Sequence, residues 1–167
     1  NIIPDLISIS KGLTGGFLPM GITLAKETIF QSFISDSPKK TFWHGHSFTA
    51  NPLGCAAANA SLDLLENDPI KYISFEKKHL YHLKNFKKLP FVKNIRVTGT
   101  IAAFDIEIGK NEGYLNNVGK RIKALSIKKG LFIRPLGNVI YLLPPLCITD
   151  NQLEKSYRII YEILSDL

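Results

Sequence analysis

The stretch Ser10-Lys11-Gly12-Leu13-Thr14-Gly15-Gly16 contains the first candidate reactive residue, and the rest of the chain is interpreted around it. Alternating apolar residues over 6–10 predict a strand that ends at Lys11, and the glycines after it predict a turn with positive φ angles. A lysine in that place can bond covalently to an aldehyde if its amine is desolvated and loses its proton. The alternative is a solvated surface cation, because most lysines are exposed. A nucleotide P-loop is excluded, since it places its lysine after the glycines.

A second stretch, residues 42–58, reads FWHGHSFTANPLGCAAA. Polar and aromatic side chains without a helical period over 41–50 predict a loop, which is where ligand contacts tend to lie. Asn51-Pro52 predicts a helix start, because asparagine caps free N–H groups and proline suits the first helical position. The small alanines that follow predict that another element approaches this helix closely.

These two stretches, together with Ile133-Arg134-Pro135-Leu136-Gly137 and residues 140–145, resemble class III aminotransferases of pyridoxal phosphate (PLP) fold type I. The resemblance covers essentially the whole chain and implies an α/β fold. Residues 1–67 would be the C-terminal part of the large PLP-binding domain, and residues 68–167 the small C-terminal α/β domain. Family members carry further cofactor-binding residues upstream, so we interpret the chain as a C-terminal fragment that is inactive alone.

The resemblance also implies a cofactor, a partner and roles for five residues. The cofactor would be PLP, and the enzyme would be a homodimer with a shared active site. Lys11 would be the catalytic residue and would bind PLP, moving a proton as base and then as acid. His46 and Ser47 would bind the cofactor, with the Ser47 hydroxyl donating to a phosphate oxygen. Gly45 and Arg134 would bind the substrate. The guanidinium of Arg134 suits a carboxylate.

Other interpretations of these residues stay open. Ser47 could bond its own backbone, as loop serines often do, and Arg134 could form a structural ion pair. Tyr141, one predicted strand later, could line the same pocket as Arg134. His44 and His46 stand two residues apart with no third ligand nearby, so no metal site is expected.

The substrates implied by the resemblance are small molecules. Arg134 would suit an acceptor ketone with a long apolar chain and a terminal carboxylate. Two alternatives to an enzyme with this acceptor stay open. One is a class III aminotransferase that acts on ornithine, acetylornithine or 4-aminobutyrate, and the other is a non-catalytic dimerisation or binding module. The identity of the amino donor is not encoded in these residues.

The net charge of +7 raises the question of nucleic-acid binding. Basic residues concentrate on one predicted helix and the turn after it: Lys71, Lys77, Lys78, Lys84, Lys87, Lys88, Lys93 and Arg96. A solvated helix face is the preferred interpretation, because no zinc-finger spacing or aromatic RNA-binding motif accompanies the charge. We therefore expect no nucleic-acid partner.

The cysteines and the hydropathy pattern bear on location. Cys55 and Cys147 are interpreted as small buried hydrophobes in a reducing compartment, so we expect a cytoplasmic protein. No apolar run approaches the about 18 residues of a membrane span, and no membrane contact is expected.

The remaining elements follow from apolar periodicity and turn signals. Predicted strands cover residues 22–25, 131–133 and 139–143, and two more lie on either side of Gly99 within 94–108. Predicted helices cover 27–35, 52 to about 67, 68 to about 89 and 115–129, and a last helix begins with a capping box at Thr149-Asp150-Asn151-Gln152.

Overall fold

The computed structural model describes residues 2–108 and 117–167. Contacts between Cα atoms divide the chain into two compact units, residues 1–68 and 69–167. From the sequence we placed a domain boundary between residues 67 and 68.

The first unit begins with an antiparallel hairpin. Strand β1 (Leu6–Ser10) pairs with β2 (Gly21–Ala25), and the register places Ser10 opposite Gly21. Both strands were predicted from the sequence. Residues Lys11–Thr14 form a 3-10 helix where we predicted only a loop. The hairpin therefore presents Lys11 at the first position after β1.

Helix α1 (Glu27–Gln31) is shorter than the predicted helix over 27–35. After Gln31 the backbone changes its hydrogen bonding: the N–H groups of Ser32, Phe33 and Ile34 each donate to the carbonyl three residues earlier. Such bonds tighten the chain into 3-10 turns and end the α-helix.

Helix α2 (Pro52–Asn67) begins as the sequence predicted. The Asn51 side-chain oxygen accepts a hydrogen bond from the Gly54 N–H at 2.8 Å and caps the helix. The 3-10 helix after β1 packs on α2, and a Cβ on Gly15 would lie 3.6 Å from the Ser61 hydroxyl oxygen. The packing of the 3-10 helix on α2 confirms that another element approaches this helix closely, as its small residues predicted.

The first unit leaves large apolar side chains exposed on both the hairpin and α2. Leu6 and Leu24 are exposed on the two strands, and Leu53 and Leu64 are exposed on the helix. An isolated two-stranded hairpin is marginally stable at best in water. This surface is therefore suited to packing against further protein.

The second unit is built on a three-stranded antiparallel sheet. Strands β3 (Val92–Thr98), β4 (Ile101–Ile106) and β5 (Val139–Leu142) lie in that order. Gly99, with φ of 56°, turns the chain from β3 into β4, as predicted. The segments over 94–108 and 139–143 are therefore confirmed as strands.

Three helices cover this sheet. Helix α3 spans Pro69–Leu83, α4 spans Val118–Lys128 and α5 spans Asp150–Ser165. Residues 115 and 116 of the predicted 115–129 helix lie outside the described residues. The capping box of α5 is present, with Thr149 and Gln152 exchanging side-chain to backbone hydrogen bonds.

The prediction that α3 continues to about Leu89 is wrong. The helix ends at Leu83, and residues Phe86–Lys88 form a separate 3-10 turn. Phe86 is 1% exposed, and its ring packs against those of Phe104 and Tyr157. Burial of this large side chain accounts for the break in the helix.

Residues 131–133 do not form the predicted strand. Within the described ranges they join no sheet, and the Leu131 N–H instead donates to the Ser126 carbonyl at 2.9 Å. Ile133 is nevertheless buried in the core of the unit. The apolar pattern of this segment therefore reflects burial and not strand pairing.

The interpretation of both cysteines as buried is also wrong. Cys147 is exposed in the loop between β5 and α5, and Cys55 is half-buried. Both thiols are free.

In the ranges 2–108 and 117–167, no helix combines the length and the apolar character needed to cross a bilayer.

A buried histidine joins α3 to α5 and to the turn after β3. The His79 side chain is fully buried, with Nε2 3.0 Å from the Thr100 carbonyl oxygen and Nδ1 2.6 Å from the Tyr157 hydroxyl. Because a carbonyl only accepts, Nε2 carries the proton and Nδ1 accepts from Tyr157 in the neutral ring. Desolvation by burial lowers the pKa of His79 below its ordinary 6.5, and burial also lowers that of His82.

These two histidines should make the second unit less stable as the pH falls below about 6.5. Their folded-state pKa values are lowered, so the unfolded chain takes up protons that the folded unit resists. The stabilising contribution is complete above pH 6.5 and is lost as the pH falls toward the folded-state values. Urea unfolding at pH 7.5 and 5.5, followed by near-UV circular dichroism of tyrosine, measures this, because all six tyrosines lie in residues 69–167.

A His79→Gln variant should show a smaller change in unfolding free energy between these pH values. His44→Gln, at an exposed loop histidine, is the matched control and should retain the full change. Glu162 does not interfere, because its hydrogen bond with Lys129 lowers its carboxyl pKa below 4.5. If His79→Gln left the pH dependence of the unfolding free energy unchanged, the lowered pKa of His79 would not be its cause.

Candidate active site

Lys11 is the first residue after β1 and has an unusual backbone. Its φ is 47°, in the left-handed region that residues other than glycine rarely adopt. The side chain is exposed, and among residues 2–108 and 117–167 its amine has no hydrogen bond or ion pair. The strand end therefore presents a free amine.

The turn behind this amine is anchored to the unit. Leu13 and Thr14 are both buried, and the Thr14 hydroxyl donates to the Leu18 carbonyl at 2.5 Å. Gly15 and Gly16 follow with φ of 62° and 80°, which confirms the predicted turn with positive φ. Thr14 was not among the predicted site residues, although a threonine before two glycines is a signal for a hydroxyl-anchored turn.

His46 organises the turn that contains Ser47. The His46 N–H donates to the Thr49 hydroxyl at 3.2 Å, and the His46 Nδ1 accepts from the Phe48 N–H at 3.2 Å. The Thr49 N–H returns to the His46 carbonyl at 3.0 Å. The backbone N–H of His46 is thus already occupied within the turn. Thr49 was missed from the sequence, although a hydroxyl three residues after His46 is a turn signal.

Ser47 lies exposed at this turn. In the described part of the chain its hydroxyl makes no hydrogen bond, so the alternative of a serine bonded to its own backbone is not observed. Gly45 is also exposed, and, its chain neighbours aside, a Cβ there would meet no atom of the described residues within 4 Å. Within the described ranges, this segment therefore has an unbonded hydroxyl and open space beside it.

A cavity of about 350 Å³ brings the two sequence stretches together. Its walls come from Pro19 and Met20, in the loop after Lys11, from Gly21 at the start of β2, and from the turn residues His46 and Phe48–Asn51. Lys11 and Ser47 do not line it themselves. The glycine-rich loop and the Ser47 turn are thus neighbours in the first unit.

Arg134 lies in the second unit and is exposed. Over residues 2–108 and 117–167 it pairs with no carboxylate, so the alternative of a structural ion pair is not observed there. It lines a cavity of about 360 Å³ together with Tyr141, as predicted. The other walls are mostly apolar: Leu131, Phe132, Ile133, Leu142, Leu143, Pro144, Pro145, Ile148 and Leu153, with Ser156. An apolar pocket with one guanidinium suits a carboxylate on an apolar chain.

No group of three or more histidine, cysteine or acidic side chains that could hold a metal ion occurs among the described residues. The side chains that line the two cavities supply hydroxyls, a histidine, an asparagine amide and a guanidinium, and the Lys11 amine lies outside both linings.

The chain belongs to the class-III aminotransferase family, whose sequence pattern matches residues 1–164. The resemblance inferred from the three motifs is therefore confirmed, and so is the α/β fold of type I. Class III aminotransferases depend on PLP, which confirms the expected cofactor.

Among curated proteins, the chain is similar to several adenosylmethionine-8-amino-7-oxononanoate aminotransferases. It is 49% identical to that of Synechococcus elongatus, over 99% of this chain and 39% of the relative. It is 37% identical to that of Helicobacter pylori, over 99% of this chain and 39% of that relative. The chain thus spans 39% of the length of these relatives.

Solved structures show the same likeness. The adenosylmethionine-8-amino-7-oxononanoate aminotransferase of Methanocaldococcus jannaschii matches with a TM-score of 0.88 and 32% identity, over 98% of this chain and 39% of that one. The acetylornithine aminotransferase of Elizabethkingia anophelis matches with a TM-score of 0.82 and 26% identity, over 100% of this chain and 40% of that one.

The residues of the first unit fit PLP. An aldehyde needs an amine that is not already bonded, and the Lys11 amine is free at the strand end. A phosphate needs hydrogen-bond donors, and the Ser47 hydroxyl is free at the neighbouring turn. This unit therefore supplies one group suited to the aldehyde of PLP and one suited to its phosphate.

Proposed function

We propose that this chain is part of an enzyme that transfers an amino group from S-adenosylmethionine to 8-amino-7-oxononanoate. The product would be 7,8-diaminononanoate, in biotin biosynthesis. The observation that carries this proposal is the 49% identity, over 99% of the chain, to a relative named for these two substrates. The cavity that contains Arg134 supports it, because the acceptor has an apolar chain that ends in a carboxylate.

In this proposal the Lys11 amine holds the cofactor of its own active site at the aldehyde, and the Ser47 hydroxyl donates to the phosphate of the partner subunit's cofactor. His46 positions Ser47 through the hydrogen bonds of its turn. PLP, when bound, supplies an electron sink for negative charge at the substrate carbon that bears the nitrogen. The Lys11 amine would remove a proton from that carbon and deliver it to the former aldehyde carbon of the cofactor, acting as base and then as acid. Gly45 leaves room for the substrate beside the turn.

Arg134 would hold the carboxylate of the acceptor. Its planar guanidinium can donate two parallel hydrogen bonds to the two carboxylate oxygens. The apolar walls around it would contact the chain of the acceptor, and Tyr141 would line the same pocket. These contacts fix orientation and do not take part in proton transfer.

We infer further that residues 1–68 belong to a large cofactor domain and residues 69–167 to a small domain. The exposed apolar surface of the first unit supports this inference, because it requires cover by further protein. The enzyme would be a homodimer, with the exposed Ser47 turn reaching the cofactor of the partner subunit. A cytoplasmic location is supported by two cysteines that are both free.

Sequence identity favours this function over the alternative of an ornithine, acetylornithine or 4-aminobutyrate aminotransferase. The chain is 49% identical to the Synechococcus relative but 26% identical to the solved acetylornithine aminotransferase. A non-catalytic dimerisation or binding module is the remaining alternative, and it predicts no covalent cofactor at Lys11.

The proposal is tested in a hybrid enzyme in which this chain replaces the matching part of the Synechococcus elongatus relative. Borohydride reduction in the presence of PLP should fix one cofactor covalently to Lys11, as measured by peptide mass mapping. The Lys11→Ala hybrid is the control and should take up no label. A label on another lysine, or none in the unsubstituted hybrid, would overturn the assignment.

A further inference from the structure

The segment that carries Arg134, residues 131–137, is fixed at its first end by helix α4. Helix α4 ends at Lys128, and Gly130 follows with φ of 80° and an N–H that donates to the Ile127 carbonyl at 3.0 Å. The Leu131 N–H donates to the Ser126 carbonyl at 2.9 Å. These two bonds form a Schellman motif, so the direction in which the segment leaves α4 is determined.

The other end of the segment is fixed by a tight turn into β5. Leu136 and Val139 exchange backbone hydrogen bonds of 2.9 Å each, with Gly137 at φ of 62° between them. Asn138 is buried and ties this turn to the end of β4. Its side chain donates to the Ile106 carbonyl at 3.3 Å, and its own carbonyl accepts from the Ile106 N–H at 2.9 Å.

Gly119, in the first turn of α4, touches this same turn. It is buried, and a Cβ built on it would overlap the Gly137 carbonyl oxygen and lie 2.8 Å from the Pro135 Cβ. Real Cβ atoms essentially never approach another atom so closely. Any side chain at position 119 must therefore displace either the start of α4 or residues 135–137.

A displacement of residues 135–137 would move Arg134 relative to the pocket that it lines. Ile133 is buried in the core, whereas the next residue, Arg134, is exposed at the cavity. The cavity is also lined by Tyr141 in β5 and by Ile148 in the loop before α5, both of which lie outside the segment. The contact at Gly119 would thus help to set the distance between the Arg134 guanidinium and the cavity residues outside the segment.

We propose that Gly119 is a positioning residue for substrate binding, which sets the place of Arg134 through its contact with residues 135–137. This inference rests on the proposed role of Arg134. An error of about 1 Å in a positioning contact can cost up to about a hundredfold in rate. We expect an effect on acceptor binding without one on the reaction with the amino donor, since the atoms nearest to a Cβ built on Gly119 belong to Pro135 and Gly137, in the segment of Arg134.

The test is a double-mutant cycle in the hybrid enzyme defined above. Gly119→Ala should raise the acceptor KM about tenfold while the rate of the donor half-reaction, followed by absorbance, stays the same. When Arg134 is already replaced by alanine, Gly119→Ala should change the acceptor KM by less than about twofold. Lys120→Ala, at the next and exposed position of α4, is the matched control and should leave the KM unchanged.

The outcomes separate this inference from the role of Arg134. If Arg134→Ala alone leaves the acceptor KM unchanged, the proposed role of Arg134 fails. If that role holds but Gly119→Ala has the same effect with and without Arg134, or impairs both half-reactions equally, Gly119 is only structural and the inference is overturned. If circular dichroism shows that Gly119→Ala does not fold, Asn138→Ala takes its place, because it loosens the same turn. Its effect on the acceptor KM must then depend on the presence of Arg134 in the same way.

Discussion

Replacement of Lys11 by alanine should reduce transamination by the hybrid enzyme by at least about a thousandfold. The amine is the group at the end of β1 that can both hold the aldehyde and move the proton, and alanine can do neither. The fold should survive, because the Lys11 side chain is exposed and makes no hydrogen bond or ion pair within the described residues. Steady-state rates with both substrates, together with far-UV circular dichroism, measure the two effects.

A matched lysine separates this effect from a loss of charge. Lys39 is exposed in the 3-10 turn Pro38–Lys40 of the same unit, and Lys39→Ala should retain full activity. Substantial turnover in Lys11→Ala would show that another group moves the proton. It would also weaken the proposed function, because the family assignment and this role would then disagree.

Replacement of Arg134 by alanine should weaken binding of 8-amino-7-oxononanoate in the same enzyme. A charge-assisted hydrogen-bonded pair contributes about 1.5–3 kcal/mol, which corresponds to about a tenfold to hundredfold rise in the acceptor KM. The half-reaction with the amino donor should change much less, because the pocket around Arg134 would contact the acceptor's carboxylate. Measurement of the two half-reactions separately tests this difference.

Lysine at position 134 should recover only part of the lost affinity, because an ammonium group cannot reproduce two parallel hydrogen bonds. Arg121→Ala, at an exposed arginine of α4, is the control and should have no effect on either half-reaction. Equal damage to both half-reactions in Arg134→Ala would point to a structural role and would remove the substrate assignment.

Elements with strong local signals were predictable from the sequence. The Asn51-Pro52 start of α2, the capping box of α5 and the turn at Gly99 each depend on side chains within a few residues of one another. Lys11 and Arg134 were selected as candidates because each stands in a compact motif, and their roles remain predictions. Tyr141 could be placed beside Arg134 because a short connection joins the two positions.

Features that depend on distant packing were not predictable. The end of α3 at Leu83 follows from burial of Phe86 against aromatic rings of β4 and α5. Residues 131–133 have the apolar pattern of a strand, yet the backbone closes α4 and leaves only Ile133 in the core. The contact of Gly119 with residues 135–137 joins positions that no local pattern connects. The free hydroxyl of Ser47 could be seen only once the hydrogen bonds of its turn were known.

The backbone of Lys11 has a consequence for the way this protein can be stabilised. A residue with a side chain in the left-handed region costs about 1–2 kcal/mol compared with glycine, so folding alone would favour glycine at position 11. Lysine is there at the expense of stability, as is common where function and stability conflict. Screens that rank variants only by melting temperature will therefore tend to favour replacements of Lys11. Any stabilised version of this protein should be selected for turnover and stability together.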